Sequence, residues 1–123
     1  MNEGKENIVV KKSYDFALSI IRLYKQLLEK KEYVLSKQIL RGCTSIGANI
    51  HEAIGSESKK DFVHKLSIAV KEARETSYRL NLLKDSDYLA ASEFNQLASS
   101  CDELLRILNS IILTTKERYF PNS

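Results

Sequence analysis

Proline occurs once in this chain of 123 residues, at Pro121, so more than a hundred consecutive residues run without the strongest helix breaker. No window approaches the roughly 18 uninterrupted apolar residues of a membrane span, and no membrane partner is expected. The N-terminus, MNEGKENIVVKK, lacks the apolar core of a signal peptide and sets Glu3 and Glu6 among its lysines, so a cytoplasmic location is expected. Cysteine is scarce: Cys43 and Cys101 form no C-x-x-C and have no Cys/His cluster nearby, which removes the support for a zinc site. Both fall on the apolar stripes of two different helices. They read as buried free thiols, with a disulfide or a reactive thiol as the alternatives.

Catalytic signatures are missing too. The two histidines, His51 and His64, lie on different helices, and no E-x-x-H occurs, which excludes the carboxylate-bridged di-iron pattern of helical bundles. His51 and Glu52 are adjacent and so point in different directions. There is no glycine-rich phosphate loop and no G-x-S-x-G elbow. We therefore expect no enzyme, no catalytic residue, no metal and no cofactor; a metal or small-molecule site inside the bundle is a remote alternative.

What the chain does contain is helical periodicity. It is 43% hydrophobic and 28% charged, the balance of a single globular domain with one core. Its centrepiece is LSKQILRGCTSIGANIHEAIG, Leu35 to Gly55. Ile39, Cys43, Ile46, Ile50 and Ile54 recur every three or four residues there, which is one face of a helix. Gly42 and Gly47 each lower helix propensity by about 1 kcal/mol relative to Ala. A helix that keeps them, among Thr44, Ser45, Ala48, Asn49 and Ala53, predicts close approach on more than one side.

The other helices follow the same logic. The first is expected from Ser13, as N-cap, to Lys31. It carries two apolar stripes: Phe16, Ile20, Leu23 and Leu27, and beside them Ala17, Ile21, Tyr24 and Leu28. The third is expected from Ser58 to Lys84, opened by the S-x-x-D spacing of Ser58 and Asp61. Ser92 is expected to cap the fourth, which ends near Arg118, with Tyr88 and Leu89 folded back as a lid. These elements predict an all-α fold, an up-down-up-down antiparallel four-helix bundle over 13–118. A flexible N-terminal arm (1–12) and a C-terminal tail (119–123) flank it.

Charge is nearly balanced. The net value is +3, and the excess lies in residues 1–85, which hold 16 basic and 11 acidic side chains, against 3 and 5 in 86–123. Lys11, Lys12, Arg22, Lys25, Lys37 and Arg41 are the candidate phosphate contacts, with Tyr14, Tyr24 and Tyr33 interleaved. A second candidate is a polar line. Ser45, Asn49 and Glu52 share a stripe beside the Ile46/Ile50 face, and Glu72, Glu75 and Arg79, with Arg74 beside them, form a matching line. It is either a solvated face with surface pairs such as Glu75–Arg79, or a partly buried network joining helices or subunits.

The run Ser45-Ile46-Gly47-Ala48-Asn49-Ile50-His51-Glu52-Ala53, preceded by Arg41, has the form S-I-x-x-N-I-x-E-[GA]. It is followed by a helix with Phe62, Leu66, Ile68, Ala69 and Glu75. The run resembles the bacterial four-helix-bundle proteins, some of them encoded within intervening sequences of large-subunit ribosomal RNA genes. The accessory variability protein of diversity-generating retroelements is a relative. The resemblance covers residues 13–118. It implies a ring-like homopentamer and, for the retroelement relative, a basic oligomer that binds nucleic acid (RNA or DNA) and a reverse transcriptase or other protein. By position it assigns Ser45, Asn49, Glu52 and Glu75 a structural or interface role. The expected function is thus a non-enzymatic homo-oligomeric accessory factor that binds structured nucleic acid. The alternative is a protein-interaction scaffold without a nucleic-acid role, marked by an exposed patch around Tyr24 and Tyr33.

Overall fold

Short connections join four helices, α1 (Glu3–Glu29), α2 (Leu35–Ile54), α3 (Lys59–Asp85) and α4 (Ala91–Tyr119), in a computed structural model that describes residues 3–122. α2 packs against α1 and α3, and α4 closes the square between α3 and α1, leaving α1/α3 and α2/α4 as diagonals. The antiparallel sense of the α1–α4 seam is visible in its polar contacts. Lys5 Nζ donates to Ser110 Oγ at 2.7 Å, Lys12 meets Glu103 at 3.1 Å, and Lys30 Nζ donates to the Tyr88 carbonyl at 2.9 Å. This is the expected all-α, up-down-up-down bundle.

Each helix sends one stripe inward. The largest buried side chains are Ile20, Leu23 and Leu27 from α1, Ile39, Ile46 and Ile50 from α2, Leu66, Leu80 and Leu83 from α3, and Leu104, Leu108 and Ile111 from α4. Each contributes about 2 kcal/mol of burial free energy. Core hydroxyls are satisfied inside their own helices: Thr76 Oγ1 donates to the Glu72 carbonyl at 2.8 Å, and Thr115 Oγ1 to that of Ile111 at 2.7 Å.

The start of α1 differs from the expected arm at 1–12. The helix is continuous from Glu3, Val9 is buried, and Ser13 is not a cap but a buried mid-helix residue whose hydroxyl donates to the Val10 carbonyl at 2.9 Å. Val9 lies seven residues before Phe16 and so extends the same stripe, which docks the segment. Met1 and Asn2 lie outside the described residues. At the other end α4 reaches Tyr119, and 120–122 are non-helical, while Ser123 lies outside the described residues.

The caps divide similarly. Ser58 opens α3 as expected, its hydroxyl accepting from Asp61 N at 3.0 Å. Ser92 does not open α4, which begins at Ala91 after Ala90 without a side-chain cap. Its entry is set by burial of Leu89 and half-burial of Tyr88 instead.

α1 and α3 both end without glycine. Lys31 and Asp87 adopt φ of 62° and 67°, and the following N–H groups, of Glu32 and Tyr88, reach back to Leu27 and Leu83, each at 2.9 Å. These are Schellman endings. The first one turns Glu32 inward, where its buried carboxylate accepts from Val34 N and Leu35 N at 3.0 Å and from Ser36 N at 2.8 Å. Three orphan amide donors of α2 and the positive end of its dipole are thereby matched by one charge. Ser36 Oγ returns a bond to the Glu32 carbonyl at 2.8 Å.

The two cysteines are free and buried, as expected. Cys101 Sγ donates to the Ala73 carbonyl at 3.2 Å. Burial pushes both thiols up to about 12, with the charge of Cys101 adding to the effect on Cys43 and that of Asp102 to the effect on Cys101.

Two expectations follow. Glu32→Ala removes the α2 cap and lowers the unfolding free energy by about 2 kcal/mol, while Glu32→Gln, which keeps an acceptor, loses less. Urea titrations of the three proteins measure this. The folded chain also holds the thiol protons more tightly than the unfolded one. That stability is complete below pH about 9 and is lost as pH rises toward about 12. The loss approaches about 1.4 kcal/mol per pH unit for each thiol. A Cys43→Ala/Cys101→Ala chain is expected to show a flatter alkaline limb in melts between pH 8 and 11.

Candidate functional site

At Gly42 the α2 backbone comes against side chains of α3. A Cβ built there would stand 3.3 Å from a guanidinium nitrogen of Arg79, 3.3 Å from Thr76 Oγ1 and 3.5 Å from Glu72 Oε2. The missing side chain lets two charged groups of α3 lie over the α2 backbone. Around this point Tyr33, Val34, Lys37, Gln38, Arg41, Gly42, Glu72 and Arg79 line an open groove of about 540 Å³. Lys37 and Arg41 are one helical turn apart on α2, and Arg79 faces them from α3. Among the described residues, Lys37, Arg41, Arg79 and Glu72 form no ion pair within 4.0 Å. The groove thus carries three cations and one carboxylate with no ion pair between them.

The remaining sequence candidates separate from it. Lys11 pairs with Asp15 at 3.1 Å on its own helix, and Lys12 pairs with Glu103 at 3.1 Å across the α1–α4 seam. Arg22 donates to Ser19 Oγ at 3.3 Å, and Lys25 is exposed on α1. Of the six, Lys37 and Arg41 line the groove together. Arg79, the third cation there, belonged to the polar line of α3 in the sequence. Its link to Lys37 and Arg41 depends on the α2–α3 register, which Gly42 alone hinted at.

The polar line itself is split. Asn49 Nδ2 donates to the Ser45 carbonyl at 2.9 Å and to Ser45 Oγ at 3.2 Å, a bond pair within α2. Glu52 reaches across to α3, where Lys65 Nζ meets its Oε1 at 3.0 Å and is held above the usual lysine range by that bond. The surface pair considered between Glu75 and Arg79 does not form, because the arginine lies over Gly42 instead. Glu75 is half-buried.

A second surface is left by α1. Ile21, Tyr24 and Leu28, from its second stripe, are half-buried but outside the core, and Tyr14 and Leu18 beside them are exposed. Gly47 is turned about 140° from Gly42 around α2, toward the α1 side. A Cβ there would meet nothing within 4 Å. The close approach anticipated at Gly47 is therefore not made within the chain.

Fold and groove together define an all-α bundle of four antiparallel helices with a mixed-charge surface groove along one seam. The chain belongs to the 23S rRNA-intervening sequence protein family, whose model matches residues 5–110. It is similar to a solved structure from Bacteroides thetaiotaomicron, described as a protein of unknown function from the S23 ribosomal protein family. Identity is 48% over 89% of this chain and 98% of that one, with a TM-score of 0.87. None of the curated proteins matches the chain.

Proposed function

We propose that this protein is a non-enzymatic, homo-oligomeric accessory factor that binds structured nucleic acid through the groove between α2 and α3. The observation that carries the reading is the convergence of Lys37, Arg41 and Arg79 on one open concavity, free of internal ion pairs. The groove holds three cations against the single carboxylate of Glu72, with no ion pair between them, so it keeps a net attraction for phosphate, whereas Lys11 and Lys12 are engaged by Asp15 and Glu103. Of the two tyrosines of the scaffold alternative, Tyr24 is half-buried on α1 and Tyr33 is exposed, but Tyr33 lines the same groove as the cations. This favours a partner with both phosphate and aromatic surface.

Self-association rests on the α1–α2 side. Tyr14 and Leu18 are exposed and Ile21, Tyr24 and Leu28 only half-buried on α1, and Gly47 of α2 has open space where a second backbone could approach. A pentameric ring, as the resemblance implies, repeats the groove around an axis and multiplies its phosphate contacts.

Binding to a structured RNA across a salt series tests the first part. Wild-type affinity is expected to fall steeply with salt. Lys37→Glu/Arg41→Glu is expected to bind at least tenfold more weakly at low salt, with an unchanged melting curve. Equal affinity of the double variant removes the groove from the reading. For the second part, Tyr14→Glu/Leu18→Glu changes only exposed positions. It is expected to keep its helicity and to lower the solution mass from several subunits toward one, as read by light scattering.

A further inference from the structure

The groove is not built for a plain anion. Glu72 sits within it, close to Arg79 over the Gly42 backbone, yet the two do not pair. A carboxylate beside a phosphate site weakens it by like-charge repulsion. A carboxylate is an acceptor only, with two oxygens side by side. Its presence among three cations suits a ligand that carries an anionic group at one end and paired N–H donors at the other.

We infer that the groove takes one unstacked nucleotide of a nucleic-acid strand and prefers guanine. Lys37, Arg41 and Arg79 hold its phosphates, and Glu72 accepts from its base edge. This rests on the nucleic-acid reading above. Guanine alone among the common bases offers two adjacent donors, N1–H and the 2-amino group, matched to the two oxygens of a carboxylate. Adenine and cytosine present one amino group beside a ring nitrogen acceptor that a carboxylate repels. Uracil and thymine present one N–H flanked by two carbonyls.

The rim supplies the second element of single-strand recognition. Tyr33 is 58% exposed beside Val34, and stacking on an exposed aromatic ring is how unpaired bases are held. The volume of about 540 Å³ lies in the range of small-molecule sites, and the groove is open, so that a strand can enter and leave. Gly42 is the condition for all of this. A β-carbon there would stand 3.3 Å from Arg79 and 3.5 Å from Glu72, and a longer side chain would reach into the space between them.

The test uses the full chain and labelled octanucleotide RNAs: all-uridine, or with one central guanosine, adenosine or cytidine. Guanosine 5′-monophosphate serves as a free competitor. The guanosine strand is expected to bind at least tenfold more tightly than the other three. Glu72→Gln is expected to reduce that preference to about twofold or less while binding all-uridine RNA as well as, or better than, wild type. Glu72→Ala is expected to do the same, and unchanged melting curves confirm that both variants are folded. Equal affinity for all four strands, with Lys37→Glu/Arg41→Glu still abolishing binding, overturns the base preference and leaves the nucleic-acid reading standing. A guanosine preference that survives in folded Glu72→Gln and Glu72→Ala overturns the role of Glu72. Monophosphate that binds as tightly as the guanosine strand overturns the assignment to a strand. Absence of binding to any strand and to structured RNA at low salt overturns both readings.

Discussion

α2 has to satisfy two neighbours at once, and the way it does so organises the molecule. One stripe, Ile39, Cys43, Ile46 and Ile50, is buried in the common core. On one side of that stripe Gly42 brings the backbone against α3, and on the other Gly47 leaves open space toward α1. A β-carbon at Gly42 would stand 3.3 Å from both Arg79 and Thr76, so these α3 side chains would have to give by a few tenths of an ångström to admit one. The glycine lowers helix propensity by about 1 kcal/mol, and the core stripe of the same helix offsets that several times over.

The short connections matter for the same reason. α2 has 20 residues against 27 in α1 and α3, and its first turn is fastened by Glu32 rather than by the usual serine or threonine. Because α1 ends in a left-handed Lys31, the chain reverses tightly enough to aim Glu32 back at three amide donors. The anchored turn carries Tyr33, Val34 and Lys37, which form one wall of the groove. Helix capping and site geometry are thus a single piece of structure here.

Charge is distributed in a way that net charge does not describe. The chain carries 19 basic and 16 acidic residues, a balance that by itself says little about partners. In the fold, acidic groups neutralise cations locally on α1, on the α1–α4 seam and between Glu52 and Lys65. The α2–α3 seam near Gly42 keeps its charges unpaired. Partner choice, on our reading, follows from where pairing fails rather than from the sum.

The sequence by itself determined the four helices, the cap at Ser58, the burial of both cysteines and the inward stripes, except that Ile54, expected on the α2 stripe, is exposed at the helix end and Ala53 is buried instead. Each of these depends on residues a few positions apart, and spacing along one chain is what a sequence records. The pair Lys37 and Arg41 was legible for the same reason, one turn apart on a single helix. Only the tertiary structure decided that Arg79 and Glu72 stand opposite that pair, that Lys12 is engaged by Glu103 across the α1–α4 seam, and that Glu32 caps the helix after it. It also decided that the first residues of α1 are docked, since Val9 needs the core to be present before its burial can hold the helix. Those outcomes depend on the register between antiparallel helices and on the path of a connection. Both are set by how whole apolar faces fit together, which no local pattern contains.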